Sequence, residues 1–290
     1  MVFGTRFFRS KNREKGKRPE KPEDQAGTAT GFRMKKREKR EHVYDVFEAI
    51  APRYDSANNR ISLGFQKRWK KLLIRRALKA AGRGQKVLDV CCGTGDIAVA
   101  LAEKRPDLEV TGLDFSPAML KIAGTKDRGL ANLHWVRGDA LELPFPDEMF
   151  AAVCISFGLR NTAGYGRVLK EMYRVTAPGG RVFCLDSFVP DHPLVVPAYK
   201  LYFRHLMPVL GGGRRYRKQY EWLYESTRRF PGRKKIMKLF SRTGLEQVQS
   251  RSRMLGACVL IEGKKPCAPV PDTERMKQGG PSCVWLAEET

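Results

Sequence analysis

From Val43 onward apolar residues recur at helical spacing, as Val43, Val46, Phe47 and Ile50, until Pro52 interrupts the run. A second helix is predicted over Leu63–Ala81: Trp69, Leu72, Leu73 and Leu78 are apolar, Arg and Lys stand between them, and Gly82 and Gly84 end it. The pattern then shortens. Val87–Val90, Glu109–Leu113, His134–Val136, Ala151–Ser156 and Gly180–Asp186 read as strands. Helical stretches at Ile97–Glu103, Pro117–Ala123 and Gly164–Val175 separate them, and Ala177-Pro178-Gly179-Gly180 is expected to end the last. Such alternation implies βαβ units: an α/β, Rossmann-like fold with a mainly parallel sheet and helices on both faces.

After Asp186 large apolar and aromatic residues mix with many basic ones, which predicts a helical cap or insertion around 190–240. Gly244–Ile261 gives two further strands. Residues 1–41 lack apolar periodicity and read as a basic, disordered arm; 42–266 form the folded domain; 267–290 read as a disordered tail. No internal repeat is present.

The 290 residues suffice for a substantial core, and 42% hydrophobic content suits an ordinary soluble protein. No stretch approaches the roughly 18 apolar residues of a membrane span. The N-terminus offers no secretory signal, so the expected location is the cytoplasm, with the inner face of the membrane as an option. Seven cysteines without C-x-x-C spacing predict reduced thiols and no metal site. The net charge of +24 is concentrated: residues 1–41 carry 14 Lys/Arg against 6 Asp/Glu, and residues 204–253 carry 14 against 3. Such fields attract polyanions, either nucleic acid or anionic lipid. Charge alone does not choose between them.

The chemistry gathers at Val87-Leu88-Asp89-Val90-Cys91-Cys92-Gly93-Thr94-Gly95-Asp96, where a strand runs into a tight turn and a helix. Gly93 and Gly95 let the backbone turn sharply and leave room for a ligand. The run also satisfies G-x-G-x-x-A, a dinucleotide pattern. Asp96 at the helix start argues against it, because a pyrophosphate there would meet a carboxylate. S-adenosylmethionine has no phosphate and carries two cationic centres, which an acid suits. Asp114, at the end of the second strand, can accept from ribose hydroxyls. Asp139 in Gly138-Asp139-Ala140 follows the third strand and can accept from an adenine amine, while Ser156 ends the fourth. Acids at successive strand ends point to a methyltransferase.

The chain resembles the quinone C-methyltransferases of menaquinone and ubiquinone biosynthesis, the demethylmenaquinone methyltransferase family, over roughly residues 42–266. The resemblance rests on Val46–Asp55, Asn59, Ser62-Leu63-Gly64, Trp69-Lys70, the Gly turn, Leu113–Leu120, Gly138-Asp139-Ala140, Leu143–Pro146, Met172–Val175 and the cap residues Tyr220, Leu223, Glu225-Ser226 and Phe230-Pro231. Its most specific element is Ile155-Ser156-Phe157-Gly158-Leu159-Arg160-Asn161. Asp186-Ser187-Phe188 departs from the family's more usual Glu-Phe-Ser, and Arg214–Arg217 is more basic than the family leads one to expect.

The resemblance implies that Thr94, Asp114, Asp139, Ala140 and Ser156 line an S-adenosylmethionine pocket and that the substrate is a prenylated quinol, most simply demethylmenaquinol. Arg160 and Asn161 are then expected to bind the quinol oxygens, with Tyr54, Asp55 and His205 as candidates for a proton relay. The aromatic and aliphatic run from Tyr199 to Leu210 could take a prenyl tail or simply pack. A ubiquinone-pathway benzoquinol, another small molecule or RNA are alternative substrates, as is a non-enzymatic partner-binding role. No RNA-binding module or N-P-P-Y-type run is present, so nucleic acid is not the expected partner. A peripheral contact with an anionic membrane and a homodimer are left open.

Overall fold

The computed structural model describes residues 36–203, 207 and 217–267. His205, Leu206, Val209, Leu210, Arg214–Tyr216, the tail beyond Cys267 and the arm before Lys36 lie outside them. The first helix, α1, runs Lys36–Ile50. It therefore begins within the stretch expected to be an unstructured arm. A 3₁₀ turn at Ala51–Arg53, with Pro52 at its start, joins it to α2 (Tyr54–Ile61), and α3 (Phe65–Ala80) follows.

The alternating region gives β1 (Lys86–Val90), α4 (Asp96–Lys104), β2 (Glu109–Asp114), α5 (Pro117–Asp127), β3 (Leu133–Arg137), β4 (Phe150–Ser156), α6 (Tyr165–Val175) and β5 (Thr176–Ser187). Then come α7 (Val196–Leu201), α8 (Arg217–Arg229), α9 (Arg233–Arg242), β6 (Glu246–Arg253) and β7 (Cys258–Lys264). One boundary differs from expectation. Ala177–Gly180 does not separate α6 from β5 but lies inside β5, as a bulge between the Phe150–Thr176 and Ala152–Arg181 pairings. Pro178 lacks the amide a regular ladder needs, and Gly179 takes a left-handed φ of 77°.

The seven strands lie in the order β3-β2-β1-β4-β5-β7-β6. The first five are parallel, while β7 runs antiparallel to both β5 and β6. Side chains alternate between two buried faces, so the central strands are apolar almost throughout. On one face Leu88, Val90, Val153 and Ile155 meet Val168, Leu169 and Met172 of α6 and Ile236 and Phe240 of α9. On the other Val87, Val110, Ala152 and Phe183 meet Leu73 and Ala77 of α3 and Ile97 and Leu101 of α4. Arg76 of α3 reaches across to Glu262, with Nε 2.8 Å from Oε2 of a carboxylate only 1% exposed. Among the described residues no helix is long and apolar enough to cross a membrane.

Candidate functional site

The strand order reverses beside β1, which continues to β2 on one side and borders β4 on the other. Sheets of this kind bind ligands beyond the strand carboxyl ends at that reversal. Two cavities open there. The larger, about 390 Å³, is lined by Tyr54, Asp89, Thr94, Ser156, Arg160 and Tyr199 among others. The smaller, about 80 Å³, is lined by Asp114, Met119, Asp139, Ala140 and Asn161 among others. Tyr54, Cys91 and Gly93 border both.

The turn between them folds through left-handed φ values at Cys91 (55°), Gly93 (56°) and Gly95 (81°). Only the two glycines take these values without steric cost. Gly95 nonetheless lines neither cavity. A Cβ there would sit 2.5 Å from the Trp135 ring, so the glycine makes room for that indole.

Thr94 is buried, and its hydroxyl donates to Asp55 Oδ1 at 2.7 Å. Lys126 bridges Asp55 Oδ2 and Asp96 Oδ1, each at 2.5 Å, and Lys70 holds Asp96 Oδ2 at 2.8 Å. Burial opposes the charge on Asp96, but the two lysines more than offset it and hold the carboxyl below its ordinary range. Asp96 is thus already neutralised by partners the sequence could not show.

The other acid lining the larger cavity is Asp89, on the same face of the sheet as α3 and α4. It is 1% exposed and neither carboxylate oxygen has a hydrogen-bond partner. Burial pushes its carboxyl up to about 8, against the attraction of Lys70 and a smaller lowering from the Ala98 amide, which lies outside hydrogen-bonding geometry. Sequence reasoning passed over it, although an acid inside Val-Leu-Asp-Val was the available signal.

Asp114 accepts from the Gly93 amide at 2.8 Å and the Ser116 amide at 3.0 Å, and burial raises its pKa. Asp139 accepts from the Leu141 amide at 3.0 Å, while its second oxygen meets Arg40 of α1 at 2.9 Å. The Ser156 hydroxyl is buried without a partner.

The Ser-Phe-Gly-Leu-Arg-Asn run has a local logic. Phe157 leaves β4 in a left-handed conformation, φ 56°. Gly158 follows because a Cβ there would lie 2.6 Å from that of Cys91. The chain then turns through a 3₁₀ helix at Leu159–Asn161, and Arg160 Nη1 and Asn161 Nδ2 donate back to the Phe157 carbonyl at 2.8 and 3.2 Å. Arg160 Nη1 also meets Asp186 Oδ1 at 2.5 Å, which leaves Nε without a partner beside the larger cavity. Consecutive residues of a 3₁₀ turn point about 120° apart. Asn161 accordingly faces the smaller cavity, and the pair expected on one substrate is divided between two pockets.

The α1 helix closes this region from above. Arg40, Val43 and Phe47 line the smaller cavity, and Lys39 donates to the carbonyls of Arg160 (3.2 Å) and Thr162 (2.6 Å). Burial lowers the Lys39 pKa to about 8, helped by repulsion from Arg229. Tyr54 stands between the cavities with its pKa raised to about 12, chiefly by burial, so its hydroxyl stays protonated.

The ubiE/COQ5 methyltransferase family model matches residues 33–265. The chain belongs to that family. Relatives are the demethylmenaquinone methyltransferases of Listeria welshimeri, 44% identical over 232 residues (78% of this chain and 97% of the relative), and of Staphylococcus aureus, 43% identical over 230 residues (78% and 94%). A Haloferax volcanii methyltransferase solved with its activator Trm112 shares the fold, with a TM-score of 0.57 at 19% identity, covering 79% of this chain and all of that one. So does Haemonchus contortus phosphoethanolamine N-methyltransferase 2, at 0.51 and 16%, covering 67% and 52%. This member of the ubiE/COQ5 family is therefore a methyltransferase with a class I fold. The family model begins at residue 33, close to where α1 starts.

Of the larger cavity's lining, the expected prenyl-tail cluster supplies Tyr199, Tyr202 and Phe203. Leu201 of that cluster is instead 65% exposed, and Met207 packs beneath Ala57 and Ile61.

Proposed function

We propose that this protein transfers the methyl group of S-adenosylmethionine to a ring carbon of demethylmenaquinol, the reduced form of the quinone named for its relatives. The observation that carries the reading is Arg160: a buried guanidinium, fixed by Asp186, in the wall of a cavity that reaches the Gly turn.

The residues present fit the cofactor. S-adenosylmethionine, when bound, supplies an electrophilic methyl on a sulfonium. Asp89, buried beside the turn with both oxygens unpartnered, would take the ammonium end. Asp114 would hold the ribose, since each of its oxygens spends one lone pair on an amide and keeps another. Asp139, Ala140 and Met119 would flank the adenine. Gly93 and Thr94 would lie against the cofactor, and Ser156 would offer a further hydroxyl.

In the larger cavity Arg160 and Tyr199, both in its wall, would meet the quinol oxygens. A quinol becomes a carbon nucleophile when a hydroxyl loses its proton and charge moves to the ortho carbon. Arg160 favours that loss by stabilising the phenolate from a position that Asp186 fixes in the cavity wall. It is not the base, because a guanidinium keeps its proton. Tyr54, kept protonated by its burial, would serve as a donor or a wall. The ortho carbon would take the methyl as the methyl–sulfur bond breaks, and the proton on that carbon would then leave to restore the aromatic ring. The oxygen would regain its own, so one proton is released per turnover. Tyr202, Phe203 and Leu223 line the same space and suit the apolar substrate.

The test is direct. Purified protein, the cofactor and demethylmenaquinol under reducing conditions should yield a quinone one methylene heavier by mass spectrometry. Activity on a benzoquinol alone, or on neither quinol, would overturn the proposal.

A further inference from the structure

We propose that the rim of the larger cavity is a membrane-docking surface that seats its mouth on an anionic bilayer. This rests on the quinol reading above, because a prenylated substrate has its tail in the membrane. Five large apolar side chains stand exposed among the described residues: Leu63 (62%), Leu194 (82%), Leu201 (65%), Met254 (48%) and Leu255 (75%). They are not scattered. Leu63, Met254 and Leu255 line the cavity itself, Leu194 adjoins the lining residue Val195, and Leu201 ends the helix that carries Tyr199.

The backbone marks the same places. Leu63, Met254 and Leu255 adopt left-handed φ values of 49°, 49° and 54°. Such conformations cost a bulky residue on the order of 1–2 kcal/mol each. Here the cost holds apolar side chains out in water, where they contribute nothing to the isolated fold. Something apolar must cover them for the arrangement to be favourable.

Charge selects the cover. Exposed Arg60, Lys67 and Arg68 accompany Leu63, Lys200 accompanies Leu201, and Arg251 and Arg253 precede Met254. The three segments, 60–68, 190–201 and 251–255, contain one acid, Asp191, which meets Arg233 at 2.9 Å. Leucines and a methionine ringed by Arg and Lys suit insertion among acyl chains beneath anionic headgroups. A bilayer occupant also lets the substrate tail remain in lipid while its ring enters the cavity.

The experiment uses the full chain and the double variant L194D/L201D, at two positions outside the cavity lining. Sedimentation with vesicles of about 30% phosphatidylglycerol in phosphatidylcholine should show partitioning at least about tenfold weaker for the variant, with an unchanged melting temperature. Turnover of long-tailed demethylmenaquinol embedded in those vesicles should fall in parallel. Turnover of a water-soluble analogue with a truncated tail should match the parent. Undiminished vesicle binding by the variant would overturn the proposal. So would a parental dimer that L194D/L201D dissociates, since the rim would then be an interface between copies. If the parent methylates neither quinol while L194D/L201D still loses vesicle binding, the docking surface stands and the quinol reading fails.

Discussion

Arg160 and Asp186 form a buried pair: Nη1 lies 2.5 Å from Oδ1, and the side chains are 6% and 0% exposed. The carboxylate also accepts the Arg160 amide at 3.2 Å and the Ser187 amide at 2.8 Å, so one acid fixes both the backbone and the head of the arginine. The departure at residues 186–188 thus keeps an acid where Arg160 needs one. Arg160→Ala should lower turnover by about a hundredfold or more, as for loss of a charge-stabilising donor. Cofactor affinity by calorimetry should stay within about threefold of the parent. The lone carboxylate should also cost about 3–5 kcal/mol of stability, so assays belong well below the melting temperature. Near-parental turnover in Arg160→Ala would remove it from the chemistry.

Asp89 makes the protein's stability and ligand affinity depend on pH in opposite senses. Burial raises its pKa from 3.8 to about 8, so the native state keeps a proton that the unfolded chain loses. That contribution to stability is full below about pH 4 and is lost as pH rises through about 8. A ligand ammonium needs the carboxylate charged, so binding must expel the proton. Affinity for S-adenosylmethionine should therefore rise from pH 6 to about 8 and then level off. Calorimetry in buffers of different ionisation enthalpy should detect close to one proton released per ligand near pH 6.5. Asp89→Asn should flatten the pH dependence and weaken binding. A parental affinity that is flat across this range would show that Asp89 does not meet the cation.

The strands were legible because a parallel sheet buried on both faces leaves near-continuous apolar runs, and Asp114 and Ser156 stand where those runs stop. The helix over Lys36–Glu41 was not legible. It has no apolar residue before Val43, and its anchors are distant: Lys39 reaches the carbonyls of Arg160 and Thr162, and Arg40 reaches Asp139. Asp96 misled for the same reason, since Lys70 and Lys126 come from other helices. Local pattern reports what a segment prefers. It says nothing of ion pairs closed only when the fold brings remote residues together.

Glu48 shows how the lid helix is held. Its Oε1 accepts from the Ser116 hydroxyl at 2.6 Å and the Ala118 amide at 3.2 Å, while Ser116 Oγ caps α5 through the Met119 amide at 3.1 Å. Glu48→Ala should cost about 1–2 kcal/mol in denaturant unfolding. Cofactor binding should weaken too, because α1 carries Arg40, Val43 and Phe47 of the smaller cavity. Glu48→Gln, which retains the accepting oxygen, should recover most of both. An equally damaged Gln variant would mean that charge rather than capping matters here.

Gly112 is a position where one methyl group should do harm through space alone. It pairs with Trp135 across β2 and β3, and an added Cβ would lie against the indole, 2.6 Å from Cε3, and 3.2 Å from Cys92 Sγ. Its φ is not left-handed, so backbone strain does not enter and the prediction rests on space alone. Trp135 cannot easily yield, since its Nε1 donates to Asp127 at 3.1 Å and the ring also covers Gly95. Gly112→Ala should therefore cost about 1–3 kcal/mol, the usual penalty for overpacking. It should also disturb the Gly turn, because the same ring lies against Gly95. Trp135→Leu alone should destabilise through the void it leaves. Together the two should cost at least about 1 kcal/mol less than their sum, since each relieves the other. Strict additivity in urea unfolding would show that the alanine is accommodated some other way, and that the small residue at 112 is not there to make room for the indole.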